Sequence, residues 1–65
     1  MSEKFTIRQH RMLREISQEE MANKLNISYN TYRNWEEEPA KISIKKAMEI
    51  ADIFKVSIND IFFSQ

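Results

Sequence analysis

The chain has no cysteine and no glycine, one proline, one histidine, and equal numbers of basic and acidic side chains, so its net charge is zero. Without cysteine, disulfides and thiolate zinc sites are excluded, and His10 alone cannot assemble a metal cluster. Without glycine there is no glycine-rich loop to cradle a phosphate. No metal and no cofactor are therefore expected. Apolar runs are only a few residues long, far short of the ~20 needed to span a bilayer. The start, Met1-Ser2-Glu3-Lys4, has no apolar stretch of a secretory signal. A cytoplasmic protein with no membrane partner is the expectation.

Sixty-five residues make a single domain, 1–65, near the size at which a chain first buries enough apolar surface to fold without staples. Apolar residues form 42% of the chain, enough for a core. Little sequence is left for a buried catalytic pocket. There is also no Ser-His-Asp or Cys-His set, so an enzyme is not expected. Zero net charge is awkward for a nucleic-acid binder, because such affinity comes largely from neutralised phosphates. The charge is polarised, however, at +2 over residues 1–34 and −2 over residues 35–65.

Val, Ile and Thr recur at helical spacings without strand-like alternation, and the pattern divides into five helices. The first runs from about Thr6, an N-cap, to Arg14. The second, about Gln18 to Leu25, opens on a capping box of Ser17 and Glu20. The third, about Tyr29 to Glu36, is capped by Ser28 and stopped by Pro39. A fourth opens at Ser43 and stops near Lys55, with Ile44, Ala47, Met48, Ala51 and Phe54 as its buried face. Ser57 caps a short fifth, with Asp60 three residues on and Ile58, Ile61 and Phe62 on one side.

The second and third helices carry the chemistry. Two helices that cross steeply through a short turn need a small residue at their closest approach, and Ala22 fills that place. Met21, Leu25, Ile27, Tyr32 and Trp35 fall inward and hold the pair. On a helical wheel Tyr29, Asn30, Arg33 and Asn34 spread over about 140°, opposite Thr31, Tyr32 and Trp35. That outer face is polar and rich in donors. Arginine pairs with guanine, asparagine with adenine, and an aromatic ring touches a thymine methyl in the major groove. Ser17 and Gln18 stand at the start of the second helix, where free amides and the helix dipole favour a phosphate.

Ser-Gln-Glu-Glu-Met-Ala at 17–22, Leu25, Ile27-Ser28, Tyr32, Trp35-Glu36, Ile50-Ala51 and Val56-Ser57 together resemble the phage Cro and lambda-type repressor family, also called the XRE family. The likeness covers about residues 5–63. It implies an all-α, compact five-helix lambda repressor-like DNA-binding domain whose helix-turn-helix is formed by helices 2 and 3. It also implies a homodimer on a two-fold symmetric double-stranded operator in the bacterial cytoplasm or nucleoid. By this resemblance Ser28, Tyr29, Asn30, Arg33 and Asn34 face bases, and Ser17, Gln18, Lys41, Lys45 and Lys46 face phosphates. Arg11 and Glu36 match a pair that ties the first helix to the end of the third. Ile58, Ile61, Phe62 and Phe63 are the expected dimer interface.

Three places where the family often has glycine hold Glu15, Asn26 and Lys55 instead. Asparagine accommodates a left-handed turn, while a backbone adjustment is expected at Glu15 and Lys55. His10 falls where the family often has an aliphatic residue, so a packed neutral imidazole is expected. After Glu36, where the family commonly has Asn-Gly followed by residues that hug phosphate, this chain continues with Glu37 and Glu38. The leading expectation is a sequence-specific regulator, a repressor of phage, prophage or bacterial origin. The alternative is a protein-interaction module such as an antirepressor, modulator or antitoxin, docking on a phage repressor or a toxin.

Overall fold

The computed structural model describes residues 4–63. Within them lie four α-helices: α1 (Ile7–Leu13), α2 (Gln18–Leu25), α3 (Tyr29–Glu37) and α4 (Ile44–Phe54). Single 3-10 turns occupy Pro39–Lys41 and Ile58–Asp60. The expected fifth helix is thus a three-residue turn. Its serine cap and Asp60 form the expected capping box, but the chain becomes extended at Ile61 (φ −114°, ψ 134°). There it pairs in parallel with Phe5, with the Phe62 amide donating to the Phe5 carbonyl at 2.8 Å. That pairing claims the backbone a further helical turn would need.

Every α-helix begins on a hydroxyl cap. Thr6, Ser17, Ser28 and Ser43 each accept a hydrogen bond from the amide three residues on. Such a cap contributes about 1 kcal/mol.

Helix ends follow one device used three times. Glu15 (φ 55°), Asn26 (φ 57°) and Lys55 (φ 58°) are left-handed. After each comes a β-branched apolar residue, and its amide reaches back five residues: Ile16 to Arg11, Ile27 to Ala22, Val56 to Ala51, at 3.0–3.2 Å. This is the Schellman arrangement, and Ile16, Ile27 and Val56 pack on the core as its apolar clasp. The backbone adjustment expected at Glu15 and Lys55 is absent; both residues adopt the conformation glycine would. A left-handed non-glycine residue costs roughly 1–2 kcal/mol, offset in part by the ~0.5–1 kcal/mol of extra chain freedom that glycine would lose on folding. Lys55→Gly and Glu15→Gly are each expected to raise stability by about 0.5–1 kcal/mol, read as a higher urea midpoint at unchanged slope.

The core gathers Ile7 from α1, Met21, Ala22 and Leu25 from α2, Tyr32 from α3, Ile50, Ala51 and Phe54 from α4, and Ile61. Ile27 and Trp35 are partly buried against it. The buried face of α4 differs from expectation. Ala47, Ala51 and Phe54 face inward, but Ile44 and Met48 are 74% and 59% exposed, and Ile50 takes the central place. Apolar residues surround more of this helix than one face can bury, so spacing alone admitted two registers. Ile61 also departs from its expected role. It is 3% exposed and closes the core, leaving Phe62, Phe63 and Ile58 as the surface there.

His10 is packed as expected. Its ring stacks on Phe54 at 5.4 Å and meets Phe5 edge-on at 5.6 Å. Arg14 donates to the His10 and Phe54 carbonyls and approaches Nδ1 at 3.2 Å. Because Arg14 can only donate, Nδ1 is the acceptor and Nε2–H donates to the Asp60 carbonyl at 3.1 Å. The Phe5 amide shares that carbonyl. His10 thereby reinforces, through a side chain, the backbone pairing that joins the two ends of the described chain.

Candidate nucleic-acid interface

α2 and α3 are linked by Asn26, Ile27 and Ser28, and the left-handed Asn26 turns the chain between them. Ala22 at 3% exposure allows the close approach, while Met21, Leu25 and Tyr32 fill the inner side. The opposite side of α3 presents Tyr29, Asn30, Arg33 and Asn34, all exposed. Glu37 is exposed at the end of the same helix.

Beneath this face lies a buried polar cluster. Arg11 Nε donates to Glu36 Oε2 at 2.6 Å and its terminal nitrogen to Oε1 at 3.3 Å; a third donor meets the Ile16 carbonyl at 2.8 Å. The side chains are only 13% and 4% exposed. Gln18 Nε2 completes the cage by donating to Glu36 Oε1 at 2.9 Å. Burial opposes the Glu36 charge, yet hydrogen bonds from Arg11 and Gln18 and the Tyr32 hydroxyl nearby outweigh it, leaving the carboxyl below the usual glutamate range. The same carboxylate, through its hydrogen bond, holds the Arg11 pKa up against burial. Tyr32 is pushed above the usual phenol range, first by burial and then by Glu36; its hydroxyl makes no well-formed hydrogen bond. Three helices meet at this cluster, so the orientation of α3 follows from charge as well as packing.

The expected contact residues differ in how far the fold already engages them. Ser17 is a cap, its hydroxyl taken by the Glu20 amide and its own amide by Glu20 Oε1. Ser28 is likewise engaged, accepting from the Thr31 amide and donating to Thr31 Oγ1. Gln18 bridges Glu36 and Tyr29, whose hydroxyl donates to Oε1 at 3.4 Å. One amide hydrogen of Gln18 remains for a phosphate, since the nitrogen carries two. Lys41 forms an exposed pair with Glu38 at 3.0 Å, a contact weak enough to exchange for phosphate. Lys45 is exposed with no side-chain partner among the described residues. Lys46 is engaged within the fold. Its ammonium donates to the Leu25 carbonyl at 2.8 Å and to Glu49 at 3.1 Å, capping the end of α2 from α4.

Sequence reasoning missed that Lys46 cap and the tie between Tyr29 and Gln18, because both join residues more than ten apart. Among the described residues no His, Asp and Glu group is arranged to hold a metal ion, and no helix is long and apolar enough to cross a membrane.

Comparison with known proteins is consistent with this arrangement. A family model described as Helix-turn-helix matches residues 7–61, from the first residue of α1 to the core residue Ile61. Neither a curated protein nor a solved structure matches the chain at a significant level. The matched span covers nearly the whole chain, and the chain therefore belongs to the XRE, or Cro/C1-type, helix-turn-helix family of DNA-binding regulators.

Proposed function

We propose that the chain is a sequence-specific transcriptional regulator, with α2 and α3 as the helix-turn-helix and α3 laid in the major groove of DNA. The observation that carries this reading is the division of α3: one side locked by Tyr32, Trp35 and Glu36, the other offering Asn30, Arg33 and Asn34 to a partner. Arg33 and the two asparagines are the base readers, with the Tyr29 ring beside them and Ser28 at the entry of the helix. Gln18 with the start of α2, Lys41 and Lys45 are the phosphate contacts. Two copies joined through Phe62, Phe63 and Ile58 would set their reading helices about 34 Å apart, one turn of DNA.

Selection of bound sequences from random DNA, followed by a salt titration of the preferred site, tests the reading. A preferred symmetric site is expected. With Lys41 and Lys45 as the cations that neutralise phosphate, log K should fall against log salt with a slope of about −2 per copy, shallow for a DNA binder. Arg33→Ala should weaken the preferred site by about 1–3 kcal/mol and relax sequence preference, whereas Gln18→Ala should weaken all sites nearly alike. Equal loss on preferred and random DNA for Arg33→Ala removes it as a base reader.

For the dimer, sedimentation equilibrium should show association of the wild-type chain, alone or on its site, and its loss in Phe62→Ala. A wild type that stays a monomer on DNA at high micromolar concentration sinks the interface.

A second reading has its own support. Met12 and Leu13 on α1, and Ile44 and Met48 on α4, are large apolar side chains exposed to solvent. Such surface suits a protein-docking module of the antirepressor or antitoxin kind. Under that reading the random pool yields no preferred sequence.

A further inference from the structure

Tyr29 occupies a particular position between the buried cluster and the outer face of α3. The Glu36 carboxylate only accepts hydrogen bonds, so it selects the amide nitrogen of Gln18 and turns the Gln18 oxygen the other way. That oxygen receives the Tyr29 hydroxyl. One helical turn further along α3, the Arg33 guanidinium lies over the Tyr29 ring, 5.7 Å from its centre. An ordered line of contacts thus runs from Arg11 through Glu36, Gln18 and Tyr29 to Arg33.

We propose that Tyr29 is a positioning residue that presets the Arg33 side chain for base reading, its ring held in place by Gln18 and, through it, by the buried Arg11–Glu36 pair. The inference rests on α3 being the DNA reader. Arginine has a long side chain with many rotamers, and fixing one on binding costs entropy. A face on which the guanidinium already rests in the free protein lowers that cost, and the ring quadrupole favours the cation there. Arg33 is the sole cation of α3, so the specificity of the helix depends on where this one group sits.

The test uses the full chain in four forms: wild type, Tyr29→Leu, Arg33→Ala and the double variant, with Tyr29→Phe as a fifth. Tyr29 is 42% exposed, so these proteins are expected to fold, which thermal melts verify. In the free protein, ring-current shifts on the Arg33 side-chain protons should be present in wild type and Tyr29→Phe and lost in Tyr29→Leu. On the preferred site, Tyr29→Leu should weaken binding about two- to fivefold, and that loss should vanish in the Arg33→Ala background. Tyr29→Phe, which keeps the ring and loses the tether, should fall between.

An undiminished Tyr29→Leu loss in the Arg33→Ala background means that Tyr29 touches DNA on its own account and overturns the proposal. Absence of the ring-current shift overturns it too, while leaving α3 as the reader. If the wild type prefers no sequence, the reading of α3 fails first, and the positioning role fails with it.

Discussion

Glu36→Ala is expected to lower stability by about 3–5 kcal/mol, because it strands the Arg11 guanidinium in a site that is mostly out of water. A 65-residue domain has only ~3–10 kcal/mol in all. A substantial unfolded population at 37 °C should therefore be visible by circular dichroism. The cost belongs to the unpaired charge more than to the lost attraction, since two desolvated ions give back much of their Coulomb energy. Arg11→Met combined with Glu36→Met should accordingly recover most of the loss. A double variant no more stable than Glu36→Ala would show that the pair's attraction, with its bonds to Gln18 and Ile16, is the larger part.

The same carboxyl predicts the acid limb of the stability curve. Its folded pKa lies below the usual value, because Arg11 and Gln18 hydrogen bonds outweigh burial. Its contribution is fully present above the unfolded pKa of about 4.3 and is lost as pH falls from there through the lower folded value. In Glu36→Gln the slope of stability against pH below that point should drop by up to one proton, about 1.4 kcal/mol per pH unit. An unchanged slope would assign acid unfolding to other carboxylates.

Much of the fold was legible because its punctuation is local. Thr6, Ser17, Ser28, Ser43 and Ser57 cap as their neighbours demand, and each cap needs only residues within three positions. The steps Glu15-Ile16-Ser17, Asn26-Ile27-Ser28 and Lys55-Val56-Ser57 repeat one pattern: a left-handed stop, an apolar clasp and the next cap. What was not legible depends on distant partners. Ile44 and Met48 had the right spacing for a core face, but α4 is apolar on more than one side, and only the core cluster supplied by the other helices chose Ile50. The fifth helix was lost to the Phe5 pairing, across more than fifty residues. The resemblance places Lys46 toward phosphate, and nothing within its own helix foretells its hydrogen bond to the Leu25 carbonyl. In the outer face of α3, residue types were readable but the tether of Tyr29 to Gln18 was not.

Phe54→Ala should cost about 3–5 kcal/mol, the range for emptying a buried phenylalanine site, with no change in which DNA sequence the folded chain prefers. Phe54 is 2% exposed, stacks on His10 and carries the Arg14 guanidinium 4.9 Å from its ring centre. Both partners lie in or just after α1, and His10 in turn holds the Asp60 carbonyl. Removal of the ring therefore opens the joint between the ends of the described chain, while the Arg11–Glu36–Gln18 cluster that orients α3 keeps its own bonds. Phe54→Leu, nearly volume-conserving, should cost less than about 1.5 kcal/mol and separates cavity formation from loss of the aromatic stack. Sequence preference measured at a temperature where each variant is folded decides the point. A shifted preference in Phe54→Ala would mean that the joint between the ends of the described chain and the set of the reading helix are one cooperative structure.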